Sequence, residues 1–82
     1  MNPEQITTRP PAALVASLRA KHNLTQTQCA AMLAITERSY QGHEEKDGSM
    51  RLATWWLFLL RLGEIHLADL PPIPPRERFF AT

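Results

Sequence analysis

Side chains that commonly perform covalent or metal chemistry are few in this sequence and do not form a recognisable set. Cys29 is the single cysteine, so it can build neither an internal disulfide nor a zinc site, and His22, His43 and His66 do not cluster with it. The sequence has no glycine-rich phosphate loop and no nucleophile with a base at a fixed spacing. We therefore expect no enzymatic activity, no metal, no cofactor and no small-molecule ligand.

Hydrogen-bonding side chains instead stand where two short helices are expected to begin. Thr25-Gln26-Thr27-Gln28 has the form of a capping box, in which the hydroxyl accepts an amide N–H and the second glutamine reaches back to the cap. Thr36 offers another N-cap, and Glu37 after it complements the helix dipole. Only Ala34-Ile35 separates the two predicted helices. A link this tight makes them cross at a steep angle, which is the geometry of a helix-turn-helix.

Two longer segments are expected to support this pair. The first runs from Pro11 to His22 with its apolar side chains on one face, and Asn23 suits a left-handed end. The second covers residues 50–62 and is apolar nearly all round, so it has to be buried on more than one side, against the core and against a partner. Gly63 is predicted to end it, and residues 65–70 to add a further short helix.

These elements predict an all-α fold of four to five helices. Residues 1–10 are interpreted as a flexible N-terminal arm, 11–70 as the helical domain and 71–82 as an extended Pro-rich tail. A chain of 82 residues is marginal as a monomer, and neither disulfides nor zinc can stabilise it. We therefore expect a homodimer. Its predicted contacts are Leu57, Phe58, Phe79 and Phe80.

The predicted location is the cytoplasm. The N-terminus lacks the features of a signal peptide, and the longest apolar run, Trp55 to Leu60, is far shorter than the roughly 20 residues that span a membrane. Residues 1–43 carry four basic and two acidic side chains, a net of +2, whereas residues 44–82 carry five basic and six acidic ones, a net of −1. This distribution permits a local basic rim for nucleic acid.

Residues 24–44, from Leu24-Thr25-Gln26 to His43-Glu44, resemble the Cro/CI-type (xenobiotic-response-element) helix-turn-helix family, and the similarity covers roughly residues 14–62. The length and the segment Trp-Trp-Leu-Phe-Leu-Leu are also similar to short plasmid and prophage regulators, such as plasmid repressors of the KorC type. The resemblance implies a lambda-repressor-like domain. It also implies a sequence-specific repressor that binds double-stranded DNA as a dimer on a pseudo-palindromic operator. Such a repressor is expected in the bacterial cytoplasm, in association with the nucleoid.

The resemblance also assigns roles to individual residues. In the family, the second helix of the pair enters the major groove by its N-terminal half. The implied base contacts are Thr36, Glu37, Arg38 and Gln41. Of these, Arg38 suits guanine, Gln41 suits adenine and Glu37 suits cytosine. The implied phosphate contacts are Thr25, Gln26, Gln28, Ser39, Lys46 and Arg51. Arg9 is expected to reach the backbone or a groove from the arm.

Three positions depart from the family pattern. Ala34 stands where the family has a glycine in the left-handed conformation, so a strained turn is expected. His43 replaces a tryptophan. Gly42 occupies an outward site on the second helix that usually carries a side chain, so fewer base contacts are expected there.

Two other functions fit the sequence. The Pro-rich tail with its two terminal phenylalanines fits an antitoxin or co-regulator whose C-terminal part binds a protein partner. The near-neutral charge, Gly42 and the acidic run Glu44-Glu45-Asp47 fit a protein-interaction module that does not bind DNA. A second protein that copurifies would favour the former, and weak, salt-insensitive DNA binding would favour the latter.

Overall fold

A computed structural model describes residues 1–72 of the chain. In this range the chain forms five α-helices and a final turn of 3-10 helix: α1 Pro3–Thr7, α2 Ala12–Lys21, α3 Gln26–Met32, α4 Glu37–Glu45, α5 Leu52–Leu62 and the 3-10 helix Leu67–Asp69. Residues 1–72 contain no β-strand, so the predicted all-α class is confirmed. No helix in this range has the length and apolar character needed to cross a membrane.

The helix ends follow local sequence signals. Asn23 has a φ of +55° just after α2, and Gly63 has a φ of +74° just after α5, so both predicted stops are confirmed. Ala34, between α3 and α4, also has a φ of +55°. The left-handed conformation costs an alanine about 1–2 kcal/mol because its Cβ lies too close to the carbonyl oxygen. The predicted strain in this turn is therefore present.

The core is built around α5. Trp55, Phe58 and Leu59 are fully buried, and the ring of Tyr40 from α4 packs against Phe58 with their centroids 6.2 Å apart. α1 packs on α5, while α3 and α4 pack on each other. Aliphatic side chains from the other elements complete the buried cluster: Ile6, Val15, Leu18, Leu33, Met50 and Ile65.

The buried core corrects one predicted dimer contact. Phe58 has 0% of its surface exposed and contacts Tyr40 and Trp55 of its own domain, so it has no surface to offer a second chain. Its neighbour Leu57 points outward and is 39% exposed. Leu57 as a dimer contact stays a prediction. Phe79 and Phe80 lie outside the described residues.

The N-terminal residues differ from the predicted flexible arm because Pro3–Thr7 form α1, which is attached to the domain. Asn2 and Gln5 form a capping box at its start, with Pro3 at the first helical position. Ile6 is only 4% exposed. The indole N–H groups of Trp55 and Trp56 donate to the carbonyls of Gln5 and Ile6, each at 2.8 Å. Carbonyls in the last turn of a helix lack intrahelical partners, and the two indoles supply them.

A distant turn caps α2. The Oδ1 of Asp47 accepts the backbone N–H of Ala12 at 2.8 Å, and the N–H of Gly48 donates to the carbonyl of Pro10 at 3.0 Å. Pro11, at the N-cap position of α2, provides no side-chain hydrogen bond, so Asp47 takes over this role from the turn that follows α4. The turn after α4 is thereby fixed against the start of α2.

Replacement of Trp56 by phenylalanine tests the attachment of α1. Trp56→Phe leaves the carbonyl of Ile6 without its donor, and we expect the free energy of unfolding to fall by about 1–2 kcal/mol in urea titrations. The same substitution in a chain that lacks residues 1–8 should cost much less, since the hydrogen bond is already absent there. Equal losses in the two backgrounds would contradict a stabilising contact between Trp56 and α1.

Candidate nucleic-acid interface

The first turn of α4 presents polar side chains at the surface. Thr36 is the N-cap of α4, and its Oγ1 accepts the backbone N–H of Ser39 at 3.1 Å and donates to the Ser39 Oγ at 2.9 Å. Glu37 and Arg38 follow, both exposed, and neither side chain has a hydrogen bond within residues 1–72. Gln41, one turn later, is half-buried. Of the four predicted base contacts, Thr36, Glu37 and Arg38 are therefore the most accessible.

The start of α3 contains the predicted capping box. The Thr25 Oγ1 accepts the N–H of Gln28 at 3.0 Å, and the Gln28 Oε1 accepts the N–H of Thr25 at 2.8 Å, which confirms the predicted reciprocal cap. The side-chain amide of Gln26 is turned inward, where its Nε2 donates to the Glu44 Oε1 at 3.1 Å. All three side chains thus have roles in the fold, and their phosphate contacts stay predictions.

An ion pair connects α4 to α2 and to the start of α3. The Nε of Arg19 donates to the Glu44 Oε2 at 2.6 Å and its Nη2 donates to the Oε1 at 3.1 Å, a two-point contact between planar groups. The Nη1 of Arg19 also donates to the carbonyl of Leu24 at 3.1 Å. Arg19, Gln26 and Glu44 are called the Glu44 cluster below. Glu44 therefore has a structural role in the fold.

The electrostatics of the Glu44 cluster favour a charged carboxylate. Burial alone raises the pKa of Glu44, but the hydrogen bonds from Arg19 and Gln26, together with the nearby Tyr40 hydroxyl, outweigh this effect, and the net result is a pKa below the ordinary value of 4.5. The pKa of Arg19 is raised because its guanidinium donates to Glu44. The side chain of Glu44 is 8% exposed and that of Arg19 is 26% exposed, so solvent screens the pair only in part.

Tyr40 lies beneath the Glu44 cluster, on the inner face of α4. Its side chain is 0% exposed, and burial raises the pKa of its phenol far above the ordinary value of 10.0, with the neighbouring Glu44 as the next cause. The hydroxyl lies near Glu44 and Cys29 but has no well-formed hydrogen bond to any residue in the range 1–72. Cys29 is fully buried.

Basic side chains gather around the turn that follows α4. Lys46 is the C-cap of α4 and Arg51 is the N-cap residue of α5, and both are exposed. The Nη1 of Arg9 donates to the carbonyl of Gly48 at 3.4 Å, which places a third cation beside the same turn. The fold thus brings Arg9 to the predicted phosphate contacts Lys46 and Arg51. No sequence pattern predicts the contact between Arg9 and Gly48, because the two residues are 39 positions apart and meet only through the packing of the turn.

His43 occupies the inner side of the same region. Its Nδ1 lies 2.8 Å from the Oγ of Ser49, and burial lowers the pKa of the imidazole below its ordinary value of 6.5. The His43 side chain therefore packs against the turn.

The described part of the chain can also be considered for a metal site and for a cavity. Residues 1–72 contain no group of three histidine, cysteine, aspartate or glutamate side chains that could hold a metal ion. An open groove of about 280 Å³ lies where α1 meets the start of α2, between Glu4, Arg9 and Leu14. None of the predicted base contacts lines this groove.

Comparison with known proteins gives no assignment. No protein-family model matches the chain, and no curated protein or solved structure gives a significant match.

The pH dependence of stability tests the Glu44 cluster. Because its pKa is lowered in the folded state, Glu44 stabilises the fold above the unfolded pKa near 4.5, and this contribution is lost as the pH falls through the folded pKa. We expect Glu44→Gln to lower the free energy of unfolding by about 1–3 kcal/mol at pH 7 and to flatten its decline below pH 4.5.

Urea titrations between pH 3 and pH 7 measure this effect. The matched control is Glu45→Gln, at the exposed neighbouring position, where we expect a change within about 0.5 kcal/mol at neutral pH. A Glu44→Gln variant as stable as the parent at pH 7 would show that the cluster does not stabilise the fold.

Proposed function

We propose that the chain is a sequence-specific double-stranded DNA-binding protein of the Cro/CI helix-turn-helix type, which acts as a homodimeric transcriptional repressor. In this proposal α3 and α4 form the helix-turn-helix, and α4 is the helix that enters the major groove. The observation that carries the proposal is the first turn of α4: exposed polar side chains stand on a helix whose inner face is held by Tyr40 and Glu44.

The anchoring of α4 suits base reading for a physical reason. Hydrogen bonds to base edges require side chains placed to a fraction of an ångström, and a helix attached to two neighbouring helices keeps them there. Arg19 holds α4 to α2, and Gln26 holds it to the start of α3. Neither contact uses Glu37 or Arg38, so both side chains remain available for DNA.

The surface around α4 also has the charge needed for backbone contacts. Lys46, Arg51 and Arg9 lie beside the turn at the C-terminal end of α4, whereas the base-reading side chains lie at its N-terminal end. Phosphate contacts at one end of a recognition helix set its register without reading sequence. Arg9 adds to this set from the segment between α1 and α2.

The dimer is part of the proposal. Leu57 is exposed on α5, and Leu67, in the 3-10 helix that follows α5, is 75% exposed. Exposed leucines near each other in sequence provide apolar surface for a second copy of the chain. Two copies would present their α4 helices to successive major grooves, about 34 Å apart, on a pseudo-palindromic operator.

The same leucines support the alternative of an antitoxin or co-regulator that binds another protein. That alternative keeps the DNA-binding surface and assigns Leu57 and Leu67 to a different partner. A second protein that copurifies with the chain in stoichiometric amounts would favour it.

The first test is selection of bound duplexes from a random DNA pool by the purified chain, followed by titration of the selected duplex at two salt concentrations. We expect a two-fold symmetric consensus, with an affinity at least about 1,000-fold above that for random DNA and falling steeply with salt. Failure to enrich any sequence would overturn the proposed function.

Two substitutions separate base reading from phosphate binding. Arg38→Ala should cost about 1–3 kcal/mol on the selected duplex and relax the preference at one base pair, since a bidentate contact to guanine is lost. Lys46→Ala should weaken binding to selected and random duplexes alike and reduce the salt slope by about one. Equal losses for Arg38→Ala on selected and random DNA would exclude Arg38 as a base reader.

A further inference from the structure

Gly42 lies in the interior of α4, where the fold gives no reason for a glycine. After proline, glycine is the least favourable residue in a helix interior. A Cβ placed on Gly42 would meet no atom within 4 Å, and its backbone does not adopt a positive φ. Neither close packing nor backbone conformation therefore requires glycine here. Alanine would be accommodated in the isolated domain and would favour the helix.

The missing side chain leaves a notch on the outer side of α4. Residues four apart share a helix face, so the notch lies between Arg38 and Lys46, both of which are exposed. Its floor is the backbone of Gly42, whose carbonyl already accepts the N–H of Lys46 at 2.9 Å and the Oγ of Ser49 at 3.4 Å. The amide N–H of a residue this far into a helix is bound to the preceding turn. The backbone at the floor of the notch therefore has no free N–H group, and its carbonyl already has two partners.

An occupant of this notch has to be small and apolar. A polar group pressed against the Gly42 backbone would lose its water without gaining a partner, which is unfavourable. Among the groups that base pairs present in the major groove, the C5 methyl of thymine is the apolar one. A helix backbone without a side chain also allows the base pairs of the major groove to approach it more closely than a larger residue would.

We propose that Gly42 is a specificity-determining residue, and that the notch between Arg38 and Lys46 receives a thymine methyl close to the base pair contacted by Arg38. This inference rests on the proposed function. It changes the expectation for Gly42, since the absent side chain provides a contact instead of removing one.

The experiment uses the full chain and the duplex selected from the random pool, with each thymine replaced in turn by uracil, which lacks only the methyl group. Burial of one methyl is worth about a fourfold change in affinity. We therefore expect the parent to lose about fourfold at one thymine in each half-site. Gly42→Ala should bind the thymine duplex at least about fivefold more weakly than the parent, because its Cβ competes for the same space.

The decisive result is the combination of the two changes. With uracil at that position, Gly42→Ala should recover parent-like affinity, since the alanine methyl then fills the space that the thymine methyl leaves. Its melting temperature should also rise by about 4–8 °C, which shows that the loss on thymine is not a folding defect. Ser17→Ala, an exposed change to a better helix former in α2, is the matched control and should leave affinity for both duplexes unchanged.

The outcomes separate this inference from the proposed function. If the parent selects a duplex but Gly42→Ala shows the same loss as the parent at every uracil, the notch does not receive a methyl and only the inference is overturned. A lower melting temperature for Gly42→Ala would mean that the fold itself requires the glycine, and it would overturn the inference as well. If the parent selects no duplex, the proposed function and this inference both fall.

Discussion

The position of α4 depends on one carboxylate. Glu44 receives two hydrogen bonds from Arg19 and one from Gln26, so a single side chain holds α4 to α2 and to the beginning of α3. A buried carboxylate is costly unless it is paired and hydrogen-bonded, and here the partners come from two separate helices. The same requirement that keeps Glu44 satisfied therefore fixes the directions of three helices relative to one another.

A second set of contacts ties the two N-terminal helices to the rest of the domain. The turn after α4 caps α2 through Asp47, and the two tryptophans of α5 complete the last turn of α1. Both arrangements satisfy backbone groups that a short helix leaves without partners. In a domain this small, where the apolar core is limited, such end contacts are an important part of what makes the fold cooperative.

How far the sequence predicts this structure depends on how local each signal is. The capping box at Thr25 and Gln28 and the stop at Gly63 involve neighbours in sequence, and both were predictable. The hydrogen bond by which Asp47 caps Ala12 joins residues 35 positions apart, and no sequence pattern predicts it. Phe58 was misassigned because α5 is apolar on nearly every face, and periodicity does not show which side turns inward. α1 is not predicted, although Asn2 and Gln5 have the same spacing as Thr25 and Gln28, because residues 1–10 are mostly polar and contain Pro3 and Pro10, which is typical of an arm.

The burial of Cys29 has a chemical consequence. The thiolate is the reactive form of cysteine, and burial raises the pKa of this thiol above its ordinary value of 9.0. Cys29 is also the single cysteine of the chain and has no exposed surface. A thiol reagent in solution therefore meets no reactive group until α3 moves away from the core. The rate at which such a reagent modifies Cys29 therefore reports how often α3 opens, and no cysteine has to be introduced for the measurement.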